Sequence, residues 1–294
     1  MSNSTIEAVM GYDPNEGASI FFTIMFGLLL MFLTAQIYTQ AKRFTEEHPY
    51  VKSKKLKISN IPILLGVLVY FVSCILRCAS ISKGKSMGLN QMINLYVAEN
   101  VLLYVAPTFY SVTVLLYFEF IIHWLDFTDL QNKFTFRFFF YSDMIARILQ
   151  IVGSSNLSSN YHAGSSVLVA GLFVQIALFS YFIFLQVKFN QHHYLTSNKD
   201  IAAHIKMFSI NFATMSVLII IRNIIRVIGY LAHRGNYLNV QEWVFYVFTT
   251  LPLFLIPFIF GIINCKYNIF SFKTLVLEKT AREQEDSQTM EEQV

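Results

Sequence analysis

Apolar blocks of about 20 residues, the length a bilayer span requires, recur along the chain with short polar stretches between them. A soluble chain has no use for so many of them. Charged residues make up only 14% of the 294 positions, whereas a soluble domain carries about 25%. The blocks are too long and too unbroken for the alternating strands of roughly ten residues that build a membrane barrel. The chain therefore reads as all-α, a polytopic membrane protein with a seven-transmembrane helix bundle.

The seven helices are expected at about Ala18–Gln40, Ile61–Ser80, Met92–Trp124, Phe136–Gly153, Gly164–Val187, Ile205–Leu231 and Glu242–Asn264. This divides the chain into an N-terminal tail (1–17), a transmembrane domain (18–264) and an acidic tail (265–294). No connecting segment is long enough to fold as a separate domain. The aromatic run Phe136-Arg137-Phe138-Phe139-Phe140-Tyr141 reads as an interfacial belt at one helix end.

Basic residues fix the expected orientation. Lys42, Arg43, Lys52, Lys54, Lys55, Lys57, Lys133, Arg137, Lys188, Lys199, Lys206, Lys266, Lys273, Lys279 and Arg282 fall on one side, against only Lys83, Lys85 and Arg234 on the other. By the positive-inside rule the N-terminus is outside and the C-terminus cytosolic. Sequons at Asn3 and Asn156 both fall on segments assigned to the outside, so these are the expected glycosylation sites. A plasma-membrane location is expected, with the endoplasmic reticulum or another endomembrane as the other assignment. Cys74 and Cys78 read as packing residues in an apolar run, and Cys265 ends the last span beside Lys266.

The four remaining basic residues lie inside the spans. A charge in hydrocarbon costs about 2.5–3.5 kcal/mol or more, so such residues face the bundle interior. They are Arg77, Arg147, Arg222 and Arg226, accompanied by Glu99, Asp143, Glu242, Gln150 and Gln175. Helix direction puts most of them at one depth, in the outer half. Asp143 and Arg147 share a helical face at i,i+4 and can pair. Arg222 and Arg226 have the same spacing with like charge, which needs compensation, and Glu99 and Glu242 are the acids nearest in depth. We take Glu99, Asp143, Arg147, Gln150, Gln175, Arg222, Arg226 and Glu242 as candidate ligand-binding residues, in a polar cavity that would take the head of an amphiphile.

Several chemistries are excluded. There is no Gly-rich phosphate loop ending in Lys-Ser/Thr and no Gly-x-Ser-x-Gly elbow. The seventh helix has no lysine for a retinal Schiff base, and the histidines lie in loops or at helix ends rather than converging as zinc ligands. The third helix ends in Phe120-Ile121-Ile122-His123-Trp124, without the acidic-Arg-aromatic triplet of G-protein-coupled receptors, and the seventh lacks Asn-Pro-x-x-Tyr. No catalytic residue, cofactor, metal site or nucleic-acid partner is expected.

The order of motifs resembles the fungal lipid-translocating exporter family, which includes aminocholesterol-resistance, sphingoid-base export and protoporphyrin-uptake proteins. The resemblance rests on Tyr12-Asp13-Pro14, Phe26-Gly27-Leu28, Ala106-Pro107, the Asp143/Gln150/Gly153 set and Gly171-Leu172 with Gln175. Its most specific piece is Arg222, Arg226, Glu242-Trp243 and Tyr246. Departures are Glu99 where the family has Gln, Gly229 where it has Glu, Thr249 where it has Asp, and Arg147 where it is apolar. The pocket should be more cationic than the family's usual one, which favours an amphiphile with a neutral or anionic head.

The resemblance implies binding of an amphipathic lipid, sterol-like or porphyrin-like molecule among membrane lipids, and its export or transbilayer translocation. Contribution to lipid asymmetry or toxic-compound resistance would follow. The alternative is a receptor-like seven-helix sensor that regulates lipid or drug response indirectly. Nothing in the sequence sets the oligomeric state.

Overall fold

The computed structural model describes residues 14–50, 54–83, 88–125, 136–157, 160–193, 199–231 and 241–291. Among them the elements are all helical: α1 (Glu16–Glu47), α2 (Lys54–Ser59), α3 (Ile61–Lys83), α4 (Leu89–Trp124), α5 (Phe136–Asn156), α6 (Tyr161–His193), α7 (Lys199–Leu231), α8 (Glu242–Phe245), a π turn (Tyr246–Thr250), α9 (Leu251–Lys266) and α10 (Ile269–Glu291). All seven expected helices are present. Most run several residues beyond the apolar blocks, because a helix satisfies its own backbone polar groups and has no reason to end where the hydrocarbon does.

The long helices close into a ring. Each of α1, α3, α4, α5, α6 and α7 packs on the next, and α9 packs on both α7 and α1. Gln36 and Gln40 of α1 tie the closing seam, donating to the backbone carbonyls of Gly261 (2.9 Å) and Asn264 (2.6 Å). The core is largely aromatic, with Phe118, Phe182, Phe189 and Phe212 meeting edge to face. The first turns of α10 join it: Ile269, Phe270 and Phe272 are buried in the same cluster as Phe44 and Tyr117. The apolar start of the C-terminal segment is thus part of the bundle's packing.

Among the described residues six of the seven long helices are by length and apolar composition alone candidates to cross a membrane. The exception is α5, which has Arg137, Asp143 and Arg147 in its 21 residues. Its faces explain the difference. Phe138, Tyr141, Ile145, Ile148 and Val152 form an exposed stripe, while Asp143, Ala146, Arg147, Gln150 and Gly153 are buried. The helix is apolar outward and polar inward, the reverse of a soluble amphipathic helix. Elsewhere in the ring the outward residues are apolar too, such as Phe21, Ile24, Leu28 and Met31 on α1. This is a polytopic all-α membrane protein.

Close approach at the α5–α6 seam is what brings the polar faces together. A Cβ on Gly153 would lie 2.5 Å from the backbone nitrogen of Leu168, and one on Gly171 would lie 2.6 Å from the carbonyl oxygen of Ala146. Small residues permit this backbone contact, and in a bilayer such van der Waals fit drives helix association.

Candidate functional site

The structure sorts the eight candidate ligand-binding residues into two groups, one near the end of α3 and the start of α8 and one deeper between α5, α6 and α7. The first is built around Arg77, at the end of α3. Its guanidinium meets Glu99 of α4 at 2.8 Å and Glu242 of α8 at 3.4 Å. Its Nε donates to the Tyr246 hydroxyl (3.2 Å), and the group lies over the Phe245 ring at 4.3 Å. Tyr246 shares a 2.7 Å hydrogen bond with Ser19, and Glu242 accepts from the backbone N–H of Asn15 (2.7 Å). One arginine therefore joins α1, α3, α4 and α8.

That arrangement corrects the expected partnership. Glu99 and Glu242 do not compensate Arg222 and Arg226; both carboxylates are taken by Arg77. Helix depth alone could not decide between acids at the same level. Rotation about the helix axes decided it, and rotation comes from packing.

A small cavity of about 10 Å³ lies beside this group, lined in part by Ser73, Cys74, Arg77, Glu99, Tyr246 and Thr250. That is room for about one water-sized sphere. The π turn Tyr246–Thr250 forms part of its wall. Its position has a local cause. Pro252, next along the helix, has no N–H and its ring crowds the carbonyl one turn back, so the helix widens before it. The widened turn directs Tyr246 and Thr250 inward, where Thr250 accepts from the Tyr70 hydroxyl at 3.0 Å.

The second group spans α5, α6 and α7. Arg147 and Asp143 approach at 3.7 Å, the pairing expected from their spacing. From there a ladder of amides crosses the seam. Arg147 donates to Gln150 (3.3 Å), Gln150 to Gln175 (3.1 Å), and Gln175 to Asp143 (2.7 Å). Asn223 of α7 donates to Gln175 (2.8 Å) and accepts from Arg222 (3.2 Å). Arg226 lies over the Tyr104 ring at 4.5 Å, and the Tyr104 hydroxyl meets that of Tyr230 at 2.8 Å. All of these side chains except those of Arg226 and Tyr230 are fully or almost fully buried.

Reading the sequence for charge missed several members. Arg77 was among the intramembrane charges but not among the candidate ligand residues, although it is the hub of the first group. Asn223, Tyr104, Tyr230 and Tyr246 are uncharged, and in an apolar helix they pass for packing. The one available signal was adjacency: Asn223 follows Arg222 directly, and a buried arginine needs an acceptor. Asn223→Ala is expected to cut the link between α6 and α7, lowering the thermal midpoint by several degrees; an unchanged midpoint would show that the amide ladder is dispensable.

Asn156 ends α5 and is exposed. Asn3 lies outside the described residues, as do Tyr12 and Asp13 and the loop cations Lys52, Lys85, Lys133 and Arg234. Among the described residues no three His, Cys, Asp or Glu side chains are placed to hold a metal ion.

Comparison with known proteins identifies a family. A family model described as RTA1 like protein matches residues 86–272, most of the chain. Protein RTA1 of Saccharomyces cerevisiae is 29% identical over 279 residues, covering 88% of this chain and 85% of its own. Protoporphyrin uptake protein 1 from the same yeast is 25% identical over 282 residues, covering 88% and 92%. Protein RTM1 of Saccharomyces cerevisiae is 25% identical over 293 residues, again covering 88% and 92%. No solved structure matches the chain. The matched segment runs from just before α4 to the start of α10 and so contains every residue of the amide ladder, and by that match the chain is placed as a member of the RTA1-like protein family.

Proposed function

We propose that this protein binds an amphipathic lipid, sterol-like or porphyrin-like compound at the buried polar groups of its bundle and promotes its export or transbilayer movement. The observation that carries the reading is the pair of buried polar groups inside an otherwise apolar bundle. Four arginines and three carboxylates lie there within the span of the helices. Intramembrane charge at this density costs stability and is retained where a polar group is handled. The printed name of the protoporphyrin uptake relative supports a compound of this kind. In this reading the basic-residue asymmetry supports an N-terminus outside, with Arg77 and Glu242 toward the outer side, and the plasma membrane is the site of action. The protein makes and breaks no covalent bond.

Reconstitution tests it. Purified protein in liposomes, with a fluorescent lipid in one leaflet and a membrane-impermeant quencher, is expected to speed exchange between leaflets at least several-fold over empty liposomes. Arg222→Gln, reconstituted at equal density, is expected to lose most of that gain. Exchange no faster than in empty liposomes, across lipid, sterol and porphyrin probes, would overturn the transport reading in favour of the receptor-like sensor.

A further inference from the structure

The two groups differ in charge balance. Arg77 is shared between two carboxylates, so the first group has an excess negative charge. The second holds Arg147, Arg222 and Arg226 against Asp143 alone, an excess of two positive charges. An arginine guanidinium keeps its proton throughout the accessible pH range, so the excess cannot be relieved by titration. The three guanidinium groups lie within electrostatic reach of one another. Among the described residues no carboxylate forms an ion pair with Arg222 or Arg226.

Their hydrogen-bonding is equally incomplete. Arg222 is 0% exposed and Arg147 3%. Yet Arg147 Nε and Nη2, Arg222 Nε and Nη2, and Arg226 Nη1 are buried donors without a hydrogen-bond partner. Arg147 Nε lies 3.7 Å from Asp143 Oδ1, too far for a hydrogen bond, and Asp143 Oδ2 is the one carboxylate oxygen of this group without a hydrogen-bond partner. The amide ladder gives Arg147 and Arg222 one acceptor each. Five buried donors on three cations against one unpartnered carboxylate oxygen form a set short of acceptors, and it is short of negative charge as well. A planar or tetrahedral oxyanion supplies both together, since guanidinium forks match carboxylate and phosphate geometry. Arg226 and Tyr230 are only partly buried, so the group is reached from their side.

We propose that Arg147, Arg222 and Arg226, with the Tyr104–Tyr230 hydroxyl pair at their edge, form a binding site for a carboxylate or phosphate group. In the proposed function, on which this identification of the ligand rests, that group is the head of the transported amphiphile. The same chemistry would also accept a small free anion, and the two sources are separated below.

The test uses full-length protein in a nonionic detergent, with the thermal unfolding midpoint as readout. Dodecanoate and dodecyl phosphate are added below their micellar concentrations, with dodecylamine as the charge-reversed control. Acetate and inorganic phosphate serve as heads without tails. Both dodecyl anions are expected to raise the midpoint by several degrees, and dodecylamine is expected not to. A tail-less anion at least tenfold weaker than its dodecyl counterpart identifies a lipid head; equal potency identifies a free anion. Arg147→Gln and Arg226→Gln are each expected to weaken the anion effect about tenfold or more. Arg226→Lys, which keeps the charge without the fork, should fall between. An equal response to dodecylamine and dodecanoate, or an undiminished anion response in folded variants, overturns the site. If neither Gln variant yields folded protein, the wild-type comparison of anion with amine decides alone. The assay reads binding without movement, so anion selectivity with no leaflet exchange would remove the transport function and leave the site.

Discussion

Replacing Arg77 with methionine is expected to be among the most damaging single changes in this protein. The substitution leaves Glu99, itself only 2% exposed, without its cation and removes the shared contact to Glu242. Breaking a buried ion pair from one side costs about 3–5 kcal/mol, mainly because the remaining charge is stranded. In a chain this long that corresponds to a fall on the order of 10 °C in Tm. Thermal unfolding of the detergent-purified protein, followed by the monodisperse fraction on size exclusion, measures it. The double variant Arg77→Met with Glu99→Gln is expected to recover a substantial part of the loss, because the stranded carboxylate is gone. A single variant as stable as the parent would mean that the hub does not hold α1, α3, α4 and α8 together. No recovery in the double variant would mean that Arg77 contributes through packing, such as its contact with Phe245, rather than through charge.

The second large effect is expected at Gly171. Its Cβ would lie 2.6 Å from the Ala146 carbonyl oxygen, 3.0 Å from the Leu149 Cβ and 3.1 Å from the Gln150 Cγ. The first neighbour is helical backbone and cannot rotate away. Gly171→Leu therefore pries α6 from α5, at a cost of roughly 2–3 kcal/mol or more. The same separation would break the 3.1 Å bond between Gln150 and Gln175. Stability and any activity that depends on the amide ladder should fall together. Gly88 supplies the control, because a Cβ there meets nothing within 4 Å and Gly88→Ala should leave the midpoint unchanged. If Gly171→Leu behaved like that control, the seam would be looser than its geometry indicates.

Much of the architecture was legible because hydrocarbon imposes simple rules. A run such as Ile61–Lys83 has one way to satisfy its backbone in a bilayer, so helix number and approximate position follow from apolar length. The Asp143–Arg147 contact was legible for the same reason: i,i+4 spacing on a helix is fixed by local geometry. The partners of Arg222 were not. Choosing between Glu99, Glu242 and a neutral amide requires knowing how α4, α7 and α8 are rotated about their axes. Rotation of this kind is set by close packing, as at Gly153 and Gly171 between α5 and α6, where the lack of a side chain matters only against the helix it touches. The π turn at Tyr246–Thr250 was illegible too, since Pro252 announces a disturbance without saying whether the helix kinks or widens.

The sequence by itself determined that this chain is a polytopic helical membrane protein with charged residues inside its apolar helices. Composition and helical rise along a single strand of chain suffice for that. Only the tertiary structure decided which charges meet. It gave both nearby glutamates to Arg77, and left Arg147 with Asp143 and Gln150, Arg222 with Asn223, and Arg226 over the Tyr104 ring. The physical reason is range. Depth is a one-dimensional property carried by the chain, whereas a salt bridge of 2.8 Å depends on the packing of neighbouring helices in all three dimensions.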